Sequence, residues 1–300
     1  VSTIALGVDL GGTKVEAGLV AADGGVVPGS RHRRPTGRDI TPDGLREAIS
    51  TVVGEALALL PADADFAGAG IGSAGPIDLQ AGTIDPVNMR GVHGFALVEA
   101  VRDAVIGATG LPEVEVRLRH DGGCLALAES WIGAAAGTRA SLSIVVSTGV
   151  GGGIVMDGRP IGGASGNAGH LGQTFVDETT TEETASGPHT VRWAQSRGWT
   201  GETGEDLARS AAAGDEIARA AIERSARAVG RALADASTLL DLEVIAISGG
   251  FSRVADDYVD LVAAALRETA VLPYARATRV VRSALGDEGP LVGAAALVLR

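Results

Sequence analysis

The stretch IALGVDLGGTKVEAGLVAADGG, residues 4–25, decides the fold. Ile4, Leu6, Val8 and Leu10 alternate with small or polar residues, Gly11 and Gly12 free the backbone to turn, and Val15, Ala17 and Leu19 resume the period of two. This predicts a β-hairpin. A second segment, LSIVVSTGVGGGIVMDGR at 142–159, repeats the plan: Leu142, Ile144 and Val146 lead into a glycine-dense turn, and Ile154 and Val155 follow it. Asp157-Gly158 then closes the second segment as Asp23-Gly24 closes the first. The chain therefore reads as internally duplicated, with a pair of turns suited to holding a nucleotide's phosphates from both sides.

The 300 residues are 45% hydrophobic and 21% charged, enough to bury cores in two ordinary domains. The formal charge of -12 disfavours nucleic-acid phosphates and acidic lipid surfaces as partners. Arg31, Arg33, Arg34 and Arg38 form the densest basic patch; with no interleaved aromatic residues it reads as a solvated loop. A single cysteine, Cys124, excludes an intrachain disulfide and a multi-cysteine zinc site, and suits a reducing cytoplasm. No signal-like start and no apolar run of about 20 residues is present, so a soluble cytoplasmic protein without membrane contact is expected.

Between the hairpins, TPDG at 41–44 opens a helix whose core face carries Leu45, Ile49, Val52, Val53 and Ala56. A glycine-rich strand and turn, AGAGIGSAGPID at 67–78, comes next, then a helix near 96–109, a strand at 114–119 and a helix from Gly122 to about Ala134. After the second hairpin, TTTEETASGPHT at 179–190 reads as a polar connector. The pattern is helical over 205–242 with a break at Gly214-Asp215, followed by a strand at 244–250, a helix at 254–268, a strand at 278–283 and a helix at 289–299. Alternating strands and helices indicate α/β layers. The expected division is an N-terminal lobe over 1–119, with the helix at 289–300 packing back on it, and a C-terminal lobe over 120–288.

Glycine turns such as DLGGTK (9–14) let backbone N–H groups approach an anion; Thr13 adds a hydroxyl, and Asp9 offers an oxygen ligand for Mg²⁺ through water. The same residues also read as a tight hairpin without a ligand. STGVGGG (147–153) lacks the GKS/T ending of a P-loop, and a strand follows it where P-loop and Rossmann motifs need a helix. Asp121, at the start of a helix, reads as an N-cap or as the acceptor of a substrate hydroxyl proton, and the two roles are compatible. His120 and His170 lack further ligands at metal-site spacing, and Glu182 lies in a stretch that by itself reads as a solvated loop.

Taken together these segments resemble the ROK family of repressors and sugar kinases, within the actin, hexokinase and heat-shock chaperone ATPase superfamily. The resemblance covers nearly the whole chain. It implies an α/β fold of two ribonuclease H-like lobes with an interlobe cleft. DLGGTK is similar to the family's first phosphate motif, implying nucleotide or phosphate contacts from Asp9, Gly11, Gly12, Thr13 and Lys14. STGVGGG is similar to the second, which implicates Thr148 and Gly149; AISGGFS (246–252) resembles the adenosine-side glycine pair, Gly249 and Gly250. On the sugar side the resemblance implicates Gly75, Asn88, His120, His170, Gln173 and Glu182, with Asp121 as the catalytic base and as a sugar contact.

The departures bear on specificity. His120 stands where the family has Asn, His170 and Gln173 replace the Glu and His of Gly-Glu-x-Gly-His, and eight residues without Cys separate Gln173 from Glu182. The family's structural zinc is therefore expected to be absent. AGHLG (168–172) is similar to bacterial N-acetylmannosamine kinases rather than to glucokinases, although Gln173 fits neither group. The resemblance implies an ATP- and Mg²⁺-dependent kinase acting on the 6-hydroxyl of a hexose or N-acetylhexosamine, N-acetylmannosamine before glucose, and a homodimer. A catalytically silent sugar-binding protein is the alternative. A DNA-binding repressor is disfavoured, because the first strand starts near Thr3 with no helix-turn-helix ahead of it and the charge is acidic.

Overall fold

A computed structural model describes residues 2–86 and 89–300. They form two compact units: the first runs to Ile132 and takes in Gly158–Ala168 and Asp287–Arg300, and the second comprises Gly133–Asp157 and Gly169–Gly286.

In the first unit the opening alternation becomes the antiparallel hairpin β1 (Thr3–Leu10) and β2 (Lys14–Ala21), with Leu10 opposite Val15. Strand β3 (His32–Pro35) extends the sheet antiparallel to β2. The patch expected to be a solvated loop is thus in part a paired strand: Arg33 and Arg34 lie in β3, while Arg38 is exposed in a turn. Arg31 bonds the buried Glu16 and Arg34 bonds Glu55, so acidic partners draw this arginine run onto the sheet. Helix α1 (Pro42–Leu57) starts where Thr41 accepts the Gly44 N–H at 3.1 Å, with Pro42 in the first turn.

Strand β4 (Asp65–Ser73) runs parallel to β1. A short ribbon, β5 (Ile77–Asp78) with β6 (Thr83–Ile84), and helix α2 (Leu97–Thr109) then lead to β7 (Val116–His120), parallel to β4. The order is β3-β2-β1-β4-β7. Leu6 and Val8 of β1 join Leu45, Ile49 and Val53 of α1 and Val101 of α2 in one core. Helix α3 spans Asp121–Trp131, shorter than the expected 122–134. His120, with extended φ -61° and ψ 141°, occupies the N-cap position, so Asp121 is the first helical residue rather than the cap.

The second unit repeats the plan. Strands β8 (Ala140–Val146) and β9 (Val150–Met156) form an antiparallel hairpin, and β13 (Val244–Ser248) and β14 (Arg279–Arg282) add in parallel beyond β8. This mirrors β2-β1-β4-β7, and the duplication read from the sequence is one of topology. The short strand β10 (Arg159–Ile161) groups with the first unit.

The stretch expected to be a polar connector is mostly helical. After the ribbon β11 (Phe175–Val176) and β12 (Thr179–Thr180) come α4 (Thr181–Ala185) and α5 (Gly187–Gln195). Thr180 accepts the Glu183 N–H, and the Glu183 carboxylate takes the Thr180 N–H in return, a capping box that starts α4. Thr181 and Thr190 are fully buried because their hydroxyls donate to the Thr174 and Ser186 carbonyls. Threonines that satisfy themselves in this way hide a buried helix from a hydropathy reading. Helices α6 (Gly204–Ala212), α7 (Glu216–Leu240), α8 (Tyr258–Thr269) and α9 (Pro273–Ala277) complete the unit.

The last helix, α10 (Gly289–Leu299), packs on β1, β4 and α3. Small residues set that contact: a Cβ on Gly70 would fall 1.7 Å from the Ala294 carbonyl oxygen, and one on Gly293 would fall 1.7 Å from that of Cys124.

Candidate active site

In the first unit, Asp9 sits at the end of β1 opposite Gly72 of β4, one residue ahead of the Ser73–His120 pair that joins β4 to β7. A Cβ on Gly72 would meet Cys124 Sγ at 3.2 Å and the Asp121 Cα at 3.7 Å, so glycine here lets the start of α3 approach the sheet. Burial pushes Asp9 up to about 7, and the nearby Asp121 carboxylate adds to the effect. Two carboxylates at this point have the donor chemistry of a Mg²⁺ site, since a hard cation would offset the burial of Asp9 and its repulsion from Asp121.

Asp121 itself is well placed to work on a hydroxyl. Its Oδ1 accepts the Gly122 N–H at 2.6 Å and lies 3.3 Å from His120 Nε2, while its side chain remains 41% exposed. A helix N-terminus and an imidazole thus hold an accessible carboxylate.

The turn after β1 has its carbonyls occupied. Gly11 O accepts from the Thr36 hydroxyl at 2.9 Å, Gly12 O from the Gly37 N–H at 3.1 Å and Thr13 O from the Thr36 N–H at 3.0 Å. Among the described residues no acceptor takes the Gly12 or Thr13 N–H, so the turn presents donors outward. Lys14 donates to Glu16, which is 2% exposed and also receives Arg31. Burial opposes ionisation of Glu16, but the bonds from Arg31 and Lys14 outweigh it and hold the acid below the usual carboxylate range. Glu16 escaped the sequence reading, because it alternates with Val15 and Ala17 on the face that a period of two leaves outward, and β2 is buried on both faces.

Gly75 lies against the His120 ring, where a Cβ would fall 3.1 Å from His120 Cδ2. Asn167 holds this turn, accepting the Ile77 N–H at 3.0 Å and donating to the Ile77 carbonyl at 2.9 Å. Asn167 also went unread, since a lone Asn among small residues carries no spacing signal. Asn88 lies outside the described residues.

In the second unit, the turn after β8 carries Thr148 and Gly149. Glu182 reaches it from α4: its Oε2 accepts the Val150 N–H at 2.9 Å. A Cβ on Gly149 would fall 2.7 Å from that same oxygen. The residue expected on the sugar side is therefore also tied to the turn expected to hold phosphate. His170 and Gln173 are exposed on a single 3₁₀ turn that packs against β9 and α4. The small residues around them are required by close approach, since a Cβ on Gly169 would meet Gly152 O at 2.3 Å and one on Gly172 would meet Val150 O at 2.0 Å.

Gly249 has φ +96° and sits over Val146 O, at 2.4 Å from a would-be Cβ, where only glycine fits. Thr148 and Gly250 line a cavity of about 230 Å³ together with Gly187, Gly204, Phe251 and Arg253. Gly187 and Gly204 pack against the Phe251 ring. The structure thus brings the turn at Ser147 and Thr148 together with Gly250 and adds a wall from α5 and α6. Among the described residues, no helix is long and apolar enough to cross a membrane.

These features place the chain in a defined class, and the comparisons agree. The ROK family model matches residues 5–300, and the chain belongs to the ROK family. It is 36% identical over 266 residues to an N-acetylmannosamine kinase of Citrobacter koseri, covering 85% of each chain. Among solved structures, a ROK hexokinase from Thermus thermophilus superposes with TM-score 0.83 at 32% identity, covering 98% of this chain and 97% of that one. A ROK family glucokinase from Streptomyces griseus, solved in complex with glucose and AMPPNP, gives TM-score 0.77 at 28% identity over 99% of each. The fold is that of the actin-like ATPases, as in the ROK kinases.

Proposed function

We propose that this protein is an ATP-dependent sugar kinase that phosphorylates the 6-hydroxyl of a hexose or N-acetylhexosamine, with N-acetylmannosamine the preferred substrate and glucose next. The observation that carries this reading is the Asp121 carboxylate, held at the start of α3 by the Gly122 N–H at 2.6 Å and by His120, accessible, and coupled to Asp9. In this reading Asp121 takes the proton of the attacking hydroxyl at its carboxylate. The N–H groups of Gly12 and Thr13, and the turn at Thr148 and Gly149, hold the phosphates, while Gly249 and Gly250 line the nucleoside side. Mg²⁺, held by Asp9 through water, would supply charge neutralisation at the phosphates.

Gly75, Asn88, His120, His170, Gln173 and Glu182 recognise the sugar in this proposal. The choice of N-acetylmannosamine is supported by the AGHLG segment and by the similarity to the Citrobacter koseri enzyme. By family resemblance the protein is a homodimer; the loss of the family's cysteine loop leaves it without zinc, and its single cysteine suits the cytoplasm.

ADP release measured with ATP and, in turn, N-acetylmannosamine, N-acetylglucosamine, glucose and fructose tests the reading. The expected result is turnover on N-acetylmannosamine above the rest, with the product's phosphate on the 6-oxygen by NMR. Absence of turnover on all four, with sugar binding retained, would replace the kinase by a silent sugar-binding protein.

A further inference from the structure

A cleft of about 700 Å³ in the second unit is lined by the β11–β12 turn, by Thr184 and Trp193, and by one face of α7. None of the residues assigned above to nucleotide or sugar lines it. Three arginines, at 224, 227 and 231, project from α7 at steps of three and four and so share that face. Arg231 is satisfied by two bonds to Asp177, at 2.7 and 2.8 Å. The other two are not. Arg224, half-buried, donates one N–H to the Thr184 carbonyl at 2.9 Å and lies 5.5 Å from the Trp193 ring centre. Arg197 covers the same ring at 4.7 Å.

Among the described residues no carboxylate pairs with Arg197, Arg224 or Arg227. Two acids line the cleft besides Asp177: Glu223 is engaged by Arg219 at 2.7 Å, and Glu178 is exposed. A guanidinium carries five N–H donors, and Arg224 spends only one of them on the protein. Burial and the neighbouring Arg197 charge push Arg224 down from its ordinary value, as expected of a cation that lacks its counter-ion. Keeping such a charge half-buried is unfavourable unless an anion joins it.

We propose that this cleft binds a small phosphomonoester, with the phosphate dianion held by Arg224 and Arg227 and Trp193 fixing the plane of the Arg224 guanidinium. The volume suits a ligand of sugar-phosphate size, within the range of about 300–1,000 Å³ usual for small-molecule pockets. Guanidinium forks match phosphate oxygens in pairs. Occupancy is relayed inward along α4, because the carbonyl that Arg224 holds belongs to Thr184, two residues from the Glu182 that grips Val150. Binding at the cleft does not depend on the kinase reading, and only the relay to the phosphate turn rests on it.

Isothermal titration of the full chain, with AMPPNP and N-acetylmannosamine present in excess, tests the site with glucose 6-phosphate and with inorganic phosphate as separate probes. The expected result is one glucose 6-phosphate bound per chain, weakened about tenfold or more in Arg224→Gln and in Arg227→Ser. Equal or tighter binding of inorganic phosphate with the same dependence on Arg227 supports the dianion site and makes free phosphate the occupant. Arg227 is exposed, so its variant keeps the test valid if Arg224→Gln does not fold. No binding of either probe, or binding that both substitutions leave unchanged, overturns the proposal.

Discussion

Replacing Glu182 separates the bond it makes to the turn after β8 from the sugar contact proposed for it. Oε2 accepts the Val150 N–H at 2.9 Å, so a carboxylate holds the first amide of β9, directly after the turn proposed to bind phosphate. Hydrogen bonds to charged groups contribute about 1.5–3 kcal/mol. With a factor of ten for each ~1.4 kcal/mol, Glu182→Ala should lower kcat/KM about 10- to 150-fold. Glu182→Gln keeps an acceptor oxygen but loses the charge, which roughly halves the bond; the loss should then be about 4- to 13-fold. Because the turn carries Thr148 and Gly149, a rise in KM for ATP should form part of the loss, in addition to any change in KM for sugar. Steady-state ADP release with each substrate varied in turn measures both. A cross-check comes from Gly149→Ala, whose Cβ would sit 2.7 Å from Oε2. In the Glu182→Ala background that substitution should cost less than it does alone, a non-additivity expected of groups in contact. A Glu182→Ala protein whose KM for ATP stays within about twofold of wild type would refute the link to the phosphate turn.

Three further outcomes are expected. Asp121→Asn should cut kcat about 10²- to 10⁴-fold, the usual worth of a general base, with little change in melting temperature; full activity would remove Asp121 from the chemistry. Asp9, raised from 3.8 to about 7, binds a proton in the folded chain that the unfolded chain has already released between those values. Its contribution to stability is thus fully present below 3.8 and lost as pH rises toward 7. In EDTA the melting temperature should therefore fall relative to Asp9→Asn over that window, and Mg²⁺ should reverse the fall at pH 7; a flat difference between the two proteins counts against this. Gly70→Ala forces a Cβ to within 1.7 Å of the Ala294 carbonyl oxygen, and overpacking of this kind costs about 1–3 kcal/mol. Thermal unfolding should shift down by several degrees, and an unchanged midpoint would mean that α10 is not held tightly against β4.

The alternation of Ile4 to Leu10 and of Leu142 to Val146 was enough to determine both hairpins, because a period of two with a glycine turn has few other ways to bury its apolar face. The strand and helix sequence that follows each hairpin was legible for the same reason, as were the glycine turns and the order of the motifs. What only the tertiary structure decided depends on groups brought together from distant positions. Glu16 gathers Lys14 and Arg31 and turns an arginine-rich loop into an edge strand. The threonines of 179–190 become a buried helix pair once their hydroxyls find carbonyl partners. Asn167 zips the Gly75 turn from 90 residues away in sequence, and Glu182 meets Val150 across 32. Periodicity records where a side chain must be apolar. It carries no mark of which polar group will satisfy another, because that choice is made by the packing that removes both from water.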